Sequence, residues 1–399
     1  MLVHRIPFPP DKGDKVRSFH LLKKLSLEFD VYLGAFVDNP RDWQYVSDLQ
    51  PYCKEVKLYP LKPLKSKLYS LLGFFRGQPL SIPYYWSNAL NKWVAKTVSR
   101  VSVKYGIIYS SQMAQYLQSV GESIDIRIAD FVDIDSDKWT QYATMKSFPM
   151  SWIFRREGYL LQRYETKISR DFSKTYFVSE TEKNDFARIS PESSSKIDYY
   201  NNGVDYEYFD PSITYENPYD PVFKNIVFTG AMDYWANVDA VVWFSESIFP
   251  LIKSHIKNIR FYIVGGNPVE QVLKLSGIDG VVVTGRVDDI RPYMRFSDLM
   301  VAPMRIARGI QNKVLEAMSM ARPLVVTSLA YDGIVSCTNY QPDIADSAKD
   351  FAELCISSLR NTEQGNLLDS RECIKNNYNW DLNIEKVITF LHKGMIEHV

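Results

Sequence analysis

The chain has 399 residues, too many for one ordinary hydrophobic core, so two domains are expected. Hydrophobic residues at 46% and charged residues at 24% exclude a disordered chain. With 47 basic against 47 acidic side chains, no net charge attracts nucleic acid to the molecule as a whole.

In chain order, the opening MLVHRIPFPPDKG is not a signal peptide, because Pro7, Pro9 and Pro10 interrupt any apolar core. No apolar run approaches the ~18 residues of a membrane span. Residues 16–29 read as a helix and 30–37 as a strand. Further strands are expected at 105–111 and 124–132, then a long helix at 157–172 and a strand at 174–180. The stretch 199–211 holds an Asn-Gly turn and ends at Pro211, which places the interdomain connection there.

The second half alternates more regularly. Strand 225–230 precedes helix 237–255, and strand 259–266 precedes helix 268–277. Strand 280–285 leads to helix 288–297, and strand 298–303 to helix 310–320, before a last strand at 323–328. Strand, helix, strand at this spacing implies a parallel sheet with right-handed crossovers. Near-continuous apolar strands fit burial on both faces. The tail NYNWDLNIEKVITFLHKGM reads as a final amphipathic helix anchored by Trp380 and Leu382.

The stretch ARGIQNKVLEAMSMARPLVVT, residues 307–327, carries the chemistry. Gly309 permits a tight turn close to a ligand. The helix that follows starts around Ile310 or Gln311, and its first N–H groups lack intrahelical partners and carry the positive end of the dipole. Such a mouth suits a phosphate or diphosphate. Lys313 adds a full charge in the first turn, and Glu316 lies one turn on along the same face, where a carboxylate can grip a ribose diol. Strand 298–303 feeds this helix, so its mouth lies at a carboxyl edge, where open α/β sheets bind ligands. A plain amphipathic helix with an i,i+3 salt bridge would show the same residues.

GIQNKVLEAMSMARPLVV resembles the nucleotide-sugar signature of the retaining glycosyltransferases of family 4, which have the GT-B fold. Neighbouring segments agree in order along nearly the whole chain. FPPDKGDKVRSFHLLKKL is similar to the family's glycine loop and first helix, and NGVDYEYFDP to its linker. FTGAMDYWANVDAVVWF resembles the first donor-domain strand and loop, and TGRVDDIRPYMRFSDLMVAPM the segment that holds the nucleotide base. PPDKGDKVRS, DFVDIDSDKW and RGIQNKVLEAM resemble a subgroup, the exosortase/PEP-CTERM-associated exopolysaccharide sugar transferases.

The resemblance implies an α/β, GT-B architecture: two Rossmann-like domains whose parallel sheets face each other across a cleft. Residues 1–202 would bind the acceptor and 203–380 the nucleotide sugar, with 381–399 a helix crossing back to the first domain. Glu316 then matches the second, ribose-binding glutamate of an E-x7-E pattern, whose first position is Arg308 here instead of glutamate. Ala231 and Ala236 stand where many members place an arginine and a lysine. The diphosphate charge would fall to Lys313, helped by Arg286 and Arg308. Gly13, Arg17, Gly230 and Val287 complete the expected donor contacts, with Gly309, Gln311 and Asn312. A histidine near the reacting sugar would be replaced by Asp130 or Asp133, the expected catalytic carboxylates beside Lys313 and Glu316.

Other features carry weaker signals. Asp133-x-Asp135 matches the metal-binding D-x-D of another glycosyltransferase fold, but two Rossmann-like halves argue for no metal and no cofactor besides the donor. The five histidines lack ligand spacing. The four cysteines lack C-x-x-C spacing and read as ordinary thiols of a reducing compartment. Val56 to Gly121 holds no Asp or Glu, nine cations and interleaved aromatics, a composition suited to an anionic membrane surface as well as to a solvated basic face. No nucleic-acid module accompanies it. The expectation is a glycosyltransferase moving a sugar from a nucleoside diphosphate to a glycan or lipid-linked acceptor in exopolysaccharide synthesis. Its expected place is the cytoplasm, or the inner face of the cell membrane. The alternatives are a GT-B nucleotide-sugar epimerase and a non-catalytic nucleotide-sugar binder.

Overall fold

The computed structural model describes all residues except 11–12, 145, 308, 362–366 and 398–399. The chain divides into two compact units, Met1–Asn201 with Asn383–Val399, and Asn202–Leu382. The division at Asn201 falls inside the turn-rich stretch 199–211.

The first unit is built on seven strands: β1 (Leu2–Val3), β2 (Tyr32–Val37), β3 (Glu55–Pro60), β4 (Tyr105–Tyr109), β5 (Ile126–Val132), β6 (Lys174–Phe177) and β7 (Ile197–Tyr199). They lie in the order β3-β2-β1-β4-β5-β6-β7, and every pairing is parallel. Three helices matter below: α1 (Gly13–Leu25), α2 (Pro63–Phe75) and α3 (Met150–Asp171). The apolar face of α1, with Phe19, Leu21, Leu22 and Leu25, is buried.

The second unit holds β8 (Lys224–Thr229), β9 (Ile259–Val264), β10 (Val281–Gly285), β11 (Leu299–Ala302), β12 (Leu324–Val326) and β13 (Asp343–Ile344), in the order β10-β9-β8-β11-β12-β13. These pairings too are parallel, with Leu299 beside Ile226 and Met300 beside Val227. Ile226, Val227 and Phe228 in β8 and Val325 and Val326 in β12 are fully buried, as unbroken apolar strands require when helices cover both faces. Helix α4 (Asn312–Ser319) follows β11, and α5 (Trp380–Glu397) ends the chain. α5 begins in the second unit, and its residues from Asn383 onward belong to the first. There Lys386 donates to the Tyr199 carbonyl, and His392 meets Glu28.

Both sheets share one topology. The first strand of each sits between the second and the fourth, so the order reverses direction there. At such a switch point the crossovers leave to opposite faces and a crevice opens at the carboxyl edge. In the second unit that crevice lies above β8 and β11.

One expectation is corrected. The cysteines are not four ordinary thiols: Cys337 and Cys373 are joined in a disulfide, 36 residues apart with Cα atoms at 5.7 Å, while Cys53 and Cys355 are free. The pairing is made by tertiary structure, since the segment around Val335 is drawn to the Tyr378 hydroxyl at the end of the Cys373 helix. The cysteines therefore no longer argue for a reducing compartment. Among the described residues no helix is long and apolar enough to cross a membrane.

Candidate functional site: the carboxyl edge of the second sheet

The crevice is lined by three turns. After β8 comes Gly230, whose neighbours reach across to the turn after β9: Met232 N–H donates to the Gly266 carbonyl at 2.8 Å. The two turns are pressed together so closely that a Cβ at Gly265 would overlap the Gly230 carbonyl, and only glycine fits. The same corner touches the Arg286 side chain after β10, about where a Cβ on Gly266 would meet it at 3.7 Å. Arg286 is exposed and Val287 half-buried against the core.

The third turn runs from β11 into α4. Gly309 has φ +59°, a conformation that strains any residue with a Cβ. Gln311 caps α4 in an extended conformation with no side-chain cap bond. The first turn of α4 is therefore open at its positive end.

Lys313 crosses the crevice towards β8. Its ammonium donates to the Asn237 side-chain oxygen, lies 3.6 Å from the Met304 sulfur and sits 4.4 Å from the centre of the Phe228 ring. These partners are neutral. Burial lowers its pKa to about 7, against the pull of Glu316, which favours the charged form. Burial likewise raises the Glu316 carboxyl to about 7, and the Lys313 charge only partly offsets it. Among the described residues no hydrogen bond reaches the Glu316 carboxylate. Two further polar atoms are buried here without partners, Thr229 Oγ1 at the end of β8 and Asn312 Oδ1 at the first residue of α4. A cation whose contact partners among the described residues are neutral, with Glu316 acting only through space, joins open N–H groups and unsatisfied polar atoms in a site that is incomplete without an anionic, hydroxyl-bearing ligand.

Sequence reasoning placed Gly230, Arg286, Val287, Gly309, Gln311, Asn312, Lys313 and Glu316 in this unit, and its turns bring them to one sheet edge. Arg308 lies outside the described residues. Asn237 was missed. It follows Ala236, which is buried where the family resemblance sought a cation. Asn237 also donates to the Ala231 carbonyl at 2.9 Å, fixing its oxygen towards Lys313.

The expected residues of the first unit are placed differently. Arg17 is 0% exposed. It forks onto Asp130 (Nε to Oδ2 3.0 Å, Nη2 to Oδ1 3.1 Å) and donates to the Tyr200 carbonyl at 2.9 Å. Its guanidinium also lies 3.5 Å from the centre of the Tyr200 ring, and the Tyr200 hydroxyl donates to Asp130. Neither Arg17 nor Asp130 is presented to a ligand, and Lys15 is likewise buried against Asp42 at 2.6 Å. The reason is geometric: α1 turns Arg17 onto Asp130 in β5 and Lys15 onto Asp42 in the turn after β2. Asp133 and Asp135 both accept from Lys138, at 2.7 and 3.1 Å. Gly13 begins α1 and is exposed. Among the described residues no group of three His, Cys, Asp or Glu could hold a metal ion. The cavity between Leu25, Val98, Ile107 and Leu391 lies at the amino end of the first sheet, away from that sheet's carboxyl edge.

Comparison with known proteins places this arrangement. Residues 223–361 match the family "Glycosyl transferases group 1". That span holds the whole crevice. Across the full chain, similar solved structures include a glycosyltransferase from Rickettsia africae (14% identity, TM-score 0.66, 99% of this chain and 98% of that one). Anabaena HepE, solved in complex with UDP and glucose, is also similar (12% identity, TM-score 0.65, 98% of each chain). WaaG, a glycosyltransferase involved in lipopolysaccharide biosynthesis, is another (13% identity, TM-score 0.61, 96% of this chain and 95% of that one). The fold is GT-B. No curated protein sequence matches the chain.

Proposed function

We propose that the protein is a glycosyltransferase that takes a sugar from a nucleoside diphosphate donor bound at the second sheet's carboxyl edge. One observation carries this reading: Lys313 holds a half-buried ammonium with neutral partners at the open mouth of α4. A diphosphate there would supply the missing counter-charge. Glu316, one turn deeper on the same helix, would accept from the ribose hydroxyls. In the transition state the departing diphosphate gains charge, and the α4 N–H groups and Lys313 are already arranged to stabilise it. Arg286 would help from the β10 turn.

The finer parts of the reading come from the sequence resemblance. They are membership of family 4, retention at the anomeric carbon, a glycan or lipid-linked acceptor, and a role in exopolysaccharide synthesis at the cytoplasmic side of a membrane. HepE with UDP and glucose, and WaaG in lipopolysaccharide synthesis, support a nucleotide-sugar donor and a glycan product. The reading uses no divalent ion, because Asp133 and Asp135 are engaged by Lys138. Turnover should persist in excess EDTA, and a loss restored by Mn²⁺ would make those carboxylates metal ligands instead. A thermal-shift screen against a panel of nucleotide sugars tests the donor site. At least one should raise the melting temperature of the wild type and leave Lys313→Met unmoved. No shift with any nucleotide sugar would remove the proposal.

A further inference from the structure

Helix α2 is folded inside out. Ser66 is buried, Ser70 is half-buried with its hydroxyl bonded to the Ser66 carbonyl, and Gly73 is buried. The outward face carries Leu64, Leu68, Leu71 and Phe75, spaced four, three and four residues apart, which is one stripe of a helix. Leu64 is 81% exposed and Phe75 90% exposed. A soluble helix buries such a stripe and shows its serines; this one does the reverse.

The stripe continues onto a second element. Phe148, Met150, Trp152 and Tyr159, at the start of α3 and just before it, are also exposed. The two elements are locked together. Trp152 and Phe74 rings lie 5.8 Å apart, and the Arg156 guanidinium sits 4.4 Å from the centre of the Phe74 ring while donating to the Gly73 carbonyl at 3.1 Å. Glu157 accepts from the Leu80 and Ser81 N–H groups and the Ser81 hydroxyl, at 2.6, 3.0 and 2.8 Å. The platform is thus a fixed surface.

Its charge has one sign. Lys62, Lys65, Lys67 and Arg76 flank the stripe on α2, and Lys146 and Arg155 flank it at α3, all exposed. The one acid within residues 62–76 and 146–159 is Glu157, which is buried and committed to the bonds above. Of the aromatics expected at the surface, Tyr69 and Phe75 are exposed, while Trp86 stacks on Tyr116 and Tyr59 bonds the Ala89 carbonyl, both half-buried, so the leucines and the α3 side chains supply the rest of the apolar surface.

We infer that α2 and the start of α3 form a docking surface for an anionic lipid bilayer. Leucines, Phe and Trp enter the interface, and lysines and arginines sit at the phosphate level. Apolar side chains ringed by cations and free of acids match that partner in both chemistry and charge. The surface deepens the reading of a lipid-linked acceptor, but it does not depend on the donor site.

Flotation of the full chain with phosphatidylcholine vesicles, with and without phosphatidylglycerol, tests it. The protein should float with the anionic vesicles only. Raising salt from 0.1 to 1 M shrinks the screening length from about 10 to about 3 Å and should cut binding roughly tenfold or more. Leu68→Glu with Phe75→Glu should abolish flotation while leaving the melting temperature and nucleotide-sugar binding unchanged. Trp152→Phe should remove the part of the emission quenched by brominated lipid. Equal binding to both vesicles, binding to neither, or undiminished flotation of the double variant overturns the inference. So does a wild-type dimer in sedimentation that the double variant dissociates, since a second copy would then cover the stripe.

Discussion

The two units carry the same strand order, yet their carboxyl edges treat charge in opposite ways. At the first edge every named cation meets a carboxylate: Arg17 meets Asp130, Lys15 meets Asp42, and Arg5 meets Asp14 at 2.7 Å and Asp38 at 2.9 Å. At the second edge Lys313 meets an amide oxygen, a sulfur and a ring. A desolvated charge is costly unless it is paired. The first edge is therefore closed on itself. The second keeps an electrostatic deficit that a ligand can remove. Fold alone does not mark the site; the unpaired charge does.

The largest expected effect tests the closed edge. Arg17→Ala or Asp130→Ala leaves one buried charge without its partner and should cost about 3–5 kcal/mol of stability. The double substitution Arg17→Met with Asp130→Leu removes both charges and should cost less than either single change. Urea denaturation measures all three. Near-neutral single variants would mean that the pair does not hold α1 against the sheet.

The open edge should answer with the opposite sign. Lys313→Met replaces an unneutralised cation by an apolar chain of similar reach, so the melting temperature should hold or rise. Turnover should fall about 10²–10³-fold, the scale for losing one preorganised group that stabilises developing charge. A variant that unfolds would show that Lys313 is structural, erasing the contrast between the edges. A smaller effect is expected one turn deeper. Glu316→Ala should weaken nucleotide-sugar binding by about 1–3 kcal/mol, the value of a charge-assisted hydrogen bond. Calorimetry with the donor found in the screen would show unchanged affinity if the ribose assignment is wrong.

The sequence made the second unit far more legible than the first. Strands such as 259–264 and 281–285 are short apolar runs between turns, and each was found within two residues of its observed ends. β1 escaped because it is two residues long and followed by prolines, and β7 and β13 because three and two residues carry no periodicity. Helix α2 shows in the sequence only as a basic, aromatic stretch, since its apolar stripe faces outward and no core pattern announces it. Lys313 and Glu316 were legible because spacing on one helix is local information. Arg17 and Asp130 are 113 residues apart, and nothing local could say that they neutralise each other. Asn237 gave no signal at all. Its importance comes from Lys313, which reaches it from 76 residues away.

The subtlest difference between the edges should appear as pH dependence. Lys313 has a folded pKa of about 7 against 10.5 for a free lysine, so between those values the unfolded chain holds the extra proton and stability rises with pH. Glu316 has a folded pKa of about 7 against 4.5, so between 4.5 and 7 the folded chain holds the extra proton and stability falls as pH rises. Together they place a minimum in their contribution near pH 7. Ligand binding should show the reverse. The diphosphate needs Lys313 charged and the ribose needs Glu316 ionised, while the diester of a nucleotide sugar does not titrate in this range. Affinity should peak near pH 7 and decline on both sides, by at most about tenfold per unit. Lys313→Arg keeps its charge to high pH and should flatten the alkaline limb, and Glu316→Gln should flatten the acid limb. Calorimetry across pH measures both limbs. A profile that stays flat in the wild type would show that neither group changes protonation on binding, and the deficit at the second edge would then lie with the α4 N–H groups alone.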